Sequence, residues 1–264
     1  MEEIDHNSTL QAAAILTELP VAIDAAGGDV RSLSIGCFPH RKNYAQLFGN
    51  LGDKRTEAVS ALKKSCRSLE TFHFGKIGLA DRGVQPDFPS HTERAYMDDY
   101  LRVMVSSQRL EDLYLNFYAF SQTHGTGELR KLRPLDGALS FQTRRLRRIN
   151  VIHASLTFAE LEALIRAVDR NLETFTLNGA ELSSGSWADI LDVLRVKTAA
   201  RCQEGRCALQ LWDLYGGEFI MSASNDQEPP DARQDRMARI HAAERYLCGS
   251  LPDNPLREGS NKTK

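Results

Sequence analysis

The sequence predicts an α/β fold, an irregular solenoid in which a parallel sheet carries helices on one side. Three observations predict it. A short apolar triplet with strand alternation recurs along the chain, amphipathic helical stretches with N-terminal caps lie between its copies, and Gly- and Pro-containing loops of unequal length separate the units.

The triplet is an apolar residue followed three and five positions later by two more, with polar residues between the last two. That is the alternation of a half-buried strand. Its copies are Val30-Leu33-Ile35, Leu69-Phe72-Phe74, Leu110-Leu113-Leu115, Leu146-Ile149-Val151 and Leu172-Phe175-Leu177, with a degenerate last copy, Leu209-Leu211, that has Arg206 in the first slot. In a chain with 42% hydrophobic residues such triplets also arise by chance, so their meaning comes from what precedes them.

What precedes them is helical. A leading helix is expected over Ser8–Ala26, with Pro20 kinking or breaking it and Gly27-Gly28 ending it. Further helices are expected over Glu57–Cys66, Glu93–Ser106, Phe158–Arg170 and Trp187–Arg195. Ser90 with Glu93, and Thr157 with Glu160, have the spacing of a capping box. In the helix after Thr157, Leu161, Leu164, Ile165 and Val168 form one apolar stripe opposite Glu162, Arg166 and Asp169. A helix then a strand, repeated, builds a parallel sheet. The solenoid with its leading helix is assigned to residues 1–224, a linker with Pro229-Pro230 to 225–230, a last helix and an Asn-Pro-Leu ending to 231–256, and a disordered tail to 257–264.

Composition excludes several function classes. The 33 basic and 35 acidic side chains give a net charge of −2, so global electrostatics draws the chain to neither nucleic acid nor an anionic membrane. No apolar run approaches the roughly 20 residues needed to span a bilayer, and Met1-Glu2-Glu3-Ile4-Asp5 is acidic where a secretory signal is basic. The expectation is an intracellular protein, cytoplasmic or nuclear, without a membrane partner. Five scattered cysteines, Cys37, Cys66, Cys202, Cys207 and Cys248, read as reduced thiols rather than a disulfide framework.

Two stretches carry a family resemblance. Asn171–Arg195, with its Gly185-Ser186-Trp187 turn between strand and helix, resembles a segment near the end of many fungal F-box and leucine-rich-repeat-like proteins. Ala243–Leu256, which ends in Asn254-Pro255-Leu256, is similar to the last helix and ending of the same chains. The resemblance implies a leucine-rich-repeat-like solenoid and, for members with an F-box, recognition of a substrate for a ubiquitin ligase. The F-box is a helical module of roughly 45 residues that opens with Leu-Pro closely followed by an acidic residue. Here Leu19-Pro20 is followed by Val21-Ala22, and the first triplet begins at Val30, so this sequence carries no recognisable F-box.

No catalytic constellation is expected, and neither a cofactor nor a metal. Cys202 and Cys207 lack two further ligands at zinc-site spacing, and the seven histidines show no paired helical spacing. Gly125-Thr126-Gly127 is a turn rather than a phosphate loop, and Gly185-Ser186-Trp187 is a helix start with Ser186 capping toward Asp189 rather than a nucleophile turn. The expected function is binding of a protein partner. Strand alternation puts Ser32, Ser34, Thr71, His73, Asp112, Tyr114, Arg148, Asn150, Thr174, Thr176 and Gln210 on the sheet face away from the helices. Of these, His73, Asp112, Tyr114, Arg148, Asn150 and Thr176 are the candidate binding residues. The alternative is a nucleic-acid-binding repeat that uses segment 129–148, where Arg130, Lys131, Arg133, Arg144, Arg145, Arg147 and Arg148 face a lone acid, Asp136.

Overall fold

Helices and strands alternate in a computed structural model that describes residues 6–36, 55–75, 91–117, 122–123, 129–130, 141–219 and 230–257. In chain order the elements are α1 (His6–Ala25), β1 (Ser32–Ile35), α2 (Arg55–Ser65), β2 (Thr71–Phe74), α3 (His91–Val105), β3 (Asp112–Asn116), β4 (Gln122–Thr123), β5 (Leu129–Arg130), β6 (Arg148–Ile152), β7 (Ser155–Thr157), α4 (Phe158–Arg166), β8 (Thr174–Asn178), β9 (Glu181–Ser184), α5 (Trp187–Gln203), β10 (Ala208–Trp212), β11 (Tyr215–Gly216) and α6 (Pro230–Leu247). The six predicted triplet strands are β1, β2, β3, β6, β8 and β10. They form one parallel sheet in that order, so neighbours in sequence are neighbours in space.

The alternation decides which face is buried. Phe72, Phe74, Leu113, Leu115, Ile149, Val151, Phe175 and Leu177 are all at most 2% exposed and join one core with Leu62, Met97, Tyr100, Leu161, Leu164, Leu191 and Ile240 from the helices. The helices pack in chain order, α1 on α2, α2 on α3, α4 on α5 and α5 on α6.

A polar turn precedes three of the strands. Ser107, Thr143 and Asp169 each stand three positions before the first triplet residue, and each side-chain oxygen accepts from the backbone N–H two residues on, at 3.3, 3.1 and 2.6 Å. Ser107 and Thr143, both buried, also donate their hydroxyls to the carbonyls of Leu69 and Leu110. These two turns are thereby tied to the units before them.

The last three strands turn a common corner. β6, β8 and β10 end in a residue with positive φ, His153 (54°), Gly179 (62°) or Asp213 (48°), followed by buried Ala154, Ala180 or Leu214 and then by β7, β9 or β11. Those three short strands make a second parallel sheet in the order β11-β9-β7. At the corner His153 donates its N–H to Asn178, and Gly179 donates its own to Trp212. At Gly179 a Cβ would meet the His153 imidazole at 2.9 Å, so a larger residue there would have to displace that ring.

Several sequence expectations change at their edges. Pro20 lies inside an unbroken α1, whereas α4 stops at Arg166, with Ala167 as its C-cap, and α5 runs on past Arg195 to Gln203. The capping box at Thr157 and Glu160 is present, while Ser90 lies outside the described residues. So do most of the predicted linker and the tail from residue 258. The residues of the Gly125-Thr126-Gly127 turn are also outside, between β4 and β5, which pair antiparallel.

Candidate functional site

Parallel register sets the site. Tyr114 stands opposite both His73 and Asn150, and Asn150 stands opposite Thr176, which makes one continuous row across β2, β3, β6 and β8. Asp112 and Arg148 are opposite each other in the adjacent row. The six candidate residues, scattered over a long stretch of sequence, are thus brought together on one sheet face.

Their contacts link these side chains across the face. The rings of His73 and Tyr114 lie 5.7 Å apart and tilted, and the Tyr114 hydroxyl accepts from Asn116 Nδ2 at 3.2 Å. Asp112 lies 3.4 Å from His73 Nε2 and accepts from Arg148 Nε at 2.9 Å. Arg148 reaches on to Glu173 at 3.1 Å. The hydrogen bond from Arg148 to Asp112, helped by Glu173, holds the guanidinium above its ordinary pKa.

Exposure separates the six. Arg148 is exposed, and His73, Asp112, Tyr114 and Asn150 are half-buried. Thr176 is only 7% exposed and offers a partner little surface. Sequence reasoning placed its side chain on this face but did not foresee its burial. Trp212, 55% exposed, stands at the end of the next row, opposite Asn178 on β8. Its place at the end of the degenerate last triplet was already legible in the sequence.

The basic segment reads differently once folded. Arg145 pairs with Glu111, Arg147 pairs with Glu173, and Arg148 pairs with both Asp112 and Glu173. Arg144 is exposed, whereas Lys131 and Arg133 lie outside the described residues. Three guanidinium groups that the sequence presented as a free cluster are consumed in a ladder of ion pairs with acids from neighbouring strands.

Elsewhere, Ser186 caps α5 as expected, accepting from the Asp189 N–H at 3.3 Å. The unexpected partner is Glu218, whose carboxylate accepts from the Ser186 hydroxyl at 2.5 Å and from the Trp187 and Ala188 amides at 2.7 and 3.3 Å. A carboxylate at a helix N-terminus satisfies orphan donors and meets the positive end of the dipole. That explains the Gly-Ser-Trp turn structurally, with Trp187 fully buried and donating to the Tyr215 carbonyl at 2.9 Å. Among the described residues no group of three or more His, Cys, Asp or Glu side chains is arranged to hold a metal ion, and no helix is long and apolar enough to cross a membrane.

In comparisons with known proteins, no family model matches the chain and no curated protein is significantly similar to it.

Proposed function

We propose that the protein is an irregular leucine-rich-repeat-like solenoid whose open sheet face binds a protein partner, in a role related to substrate recognition by F-box proteins. The observation that carries this reading is the contiguous row of His73, Tyr114 and Asn150 beside the Asp112–Arg148 pair. Aromatic and guanidinium groups fixed by their own neighbours lose little freedom on docking, and Tyr and Arg recur as energetic centres of interfaces. A solenoid presents such a face along its length. The proposed location is intracellular, cytoplasmic or nuclear.

The nucleic-acid alternative draws less support, because the acids paired with Arg145, Arg147 and Arg148 already supply the charge that phosphates would supply. Co-purification from the native host with and without nuclease tests the choice, and nuclease-resistant capture is the expected result. With the partner in hand, Tyr114→Ala should weaken binding by roughly 1 to 3 kcal/mol at both low and high salt. A steep fall in affinity with salt that depends on Arg145 rather than Tyr114 would overturn the reading in favour of nucleic acid.

A further inference from the structure

The turns that lead into the strands line up across the six-stranded sheet as the strands do. Glu111 donates its N–H to the Glu70 carbonyl, Arg147 to that of Glu111 and Glu173 to that of Arg147, so these four residues mark one row along β2, β3, β6 and β8. Three positions before them stand Arg67, Gln108, Arg144 and Arg170, with Arg109 next to Gln108. All five are exposed. Adjacent strands lie about 4.8 Å apart, so the four turns present an arginine each along roughly 14 Å.

The two rows differ in how their charge is met. Beside the strand starts, Arg145, Arg147 and Arg148 are held by Glu111, Asp112 and Glu173. At the turn tips, Arg67 reaches Asp24 only at 3.8 Å, and no carboxylate among the described residues pairs with Arg109, Arg144 or Arg170. The stripe also has ends. Before β1 the matching turn carries Asp29, which accepts from Ser68 Oγ at 3.2 Å, and before β10 it carries Glu204, paired with Arg206 at 3.3 Å.

We propose that this stripe binds an acidic peptide segment, with Arg109, Arg144 and Arg170 each taking a carboxylate. Charge complementarity selects the occupant. A guanidinium offers a planar fork of donors that fits a carboxylate, and the adjoining row uses the same pairing on the protein's own acids. About five residues of extended chain span the roughly 14 Å between the outer turns. A nucleic acid fits less well. A longer polyanion would run onto Asp29 at one end and Glu204 at the other, and the residues of the four turns include no aromatic ring on which a base could stack. The stripe borders the sheet face without including His73, Tyr114 or Asn150, so it does not depend on what that face binds.

The test titrates the isotope-labelled full-length chain with a peptide of alternating aspartate and serine, about five residues long, and follows arginine Nε–H and backbone amide signals by NMR. Salt is kept at about 20 mM, where exposed charges are least screened. The signals of Arg109, Arg144 and Arg170 should move, and the same peptide with asparagine in place of aspartate should leave them still. Arg144→Glu should weaken the fitted affinity at least about fivefold. Arg233→Glu makes the same change of charge near the start of α6, which lies beyond the far end of β10 where Arg236 pairs with Asp213, and should alter affinity less than about twofold. Tyr114→Ala should leave it unchanged. Equal weakening by the two charge reversals would reduce the effect to net charge and overturn the assignment. Shifts centred on His73 and Tyr114, shifts with the asparagine peptide, no shifts at all, or tighter binding of a thymidine oligonucleotide of equal charge would overturn it as well.

Discussion

The two ends of the main sheet are finished in different ways. At the last strand, β10, helix α6 lies against the edge, and Glu244 accepts the Leu211 N–H at 2.7 Å. Behind it Asp192 of α5 gathers the C-terminal segment. Its carboxylate accepts from Tyr246 at 2.6 Å, from Asn254 at 2.7 Å and from Arg257, while Asn254 also donates to the Ala188 carbonyl and Arg195 donates to that of Leu251. At the first strand, β1, the outermost described helix α1 leaves Ile15, Leu19 and Ile23 exposed, one helical turn apart. Its partners are thinner, with Lys64 and Arg67 reaching Asp24 at 3.9 and 3.8 Å. One end is closed by polar bonds that converge on Asp192 and Asn254, while at the other the buried Tyr100 hydroxyl donates to the Leu16 carbonyl at 3.3 Å and the Asp24 pairs are long and solvent-screened. Stability should therefore be lost from the two ends unequally.

The scale is set midway between them. Phe175 is fully buried on β8, and Phe175→Ala should cost roughly 3 to 5 kcal/mol in chemical denaturation. A smaller loss would mean that the sheet interior relaxes around the cavity. Next comes the closed end. Asn254 is 6% exposed and makes three bonds, counting the one its Oδ1 accepts from the Leu256 N–H, so Asn254→Ala should cost about 1 to 3 kcal/mol.

The same end should respond to acid. Burial opposes the charge on Asp192, but hydrogen bonds from Tyr246, Arg257 and Asn254 outweigh it and hold the carboxyl below its ordinary pKa. A lowered carboxylate contributes stability that is present above its unfolded-state pKa and is lost as pH falls through the folded value. The difference in stability between the wild type and Asp192→Asn should thus shrink between pH 7 and pH 3, as read by urea unfolding. A constant difference would mean that the charge is not what holds the segment. The smallest effect belongs to the open end, where Leu19→Ala should change stability by no more than about 0.5 kcal/mol, because the side chain is already 53% exposed. A loss comparable to that of Asn254→Ala would erase the distinction between the ends.

Much of this architecture was legible because it is local. The triplets, the Thr157–Glu160 box and the Ser186 cap depend on residues within a few positions of one another, and the period of a strand or a helix exposes them. The polar turns were legible in principle, since Ser107-Gln108-Arg109-Leu110, Thr143-Arg144-Arg145-Leu146 and Asp169-Arg170-Asn171-Leu172 share a form. The corner had a weaker signal. Gly179 after Asn178 advertises a left-handed residue, but His153 does not, and strands as short as β11 have no period to detect. The kink or break expected at Pro20 rests on that residue's local effect, and α1 runs through it unbroken.

Contacts across the sequence were beyond local reading. Nothing near Arg145, Arg147 or Arg148 in the chain announces Glu111 or Glu173, so a folded ion ladder resembled a free basic patch. Glu218 at the head of α5 and Asp192 bonded to Asn254 are likewise brought together only by the fold. The candidate face was legible up to register. Alternation assigned the six side chains to one side, and only the folded chain showed that Thr176 is buried there.

The carboxylate of Glu244 on the Leu211 amide has a consequence for handling the chain. An uncovered strand edge is a template onto which another strand can be laid, and the next molecule offers one of identical sequence. Glu244 occupies one of the donors such a strand would need, and α6 obstructs its approach. A version shortened before Pro230 would present β10, with Trp212 at its end, as a growing point. Such a truncation should form oligomers that grow with protein concentration, and one whose size stays constant would mean that α6 does not guard this edge.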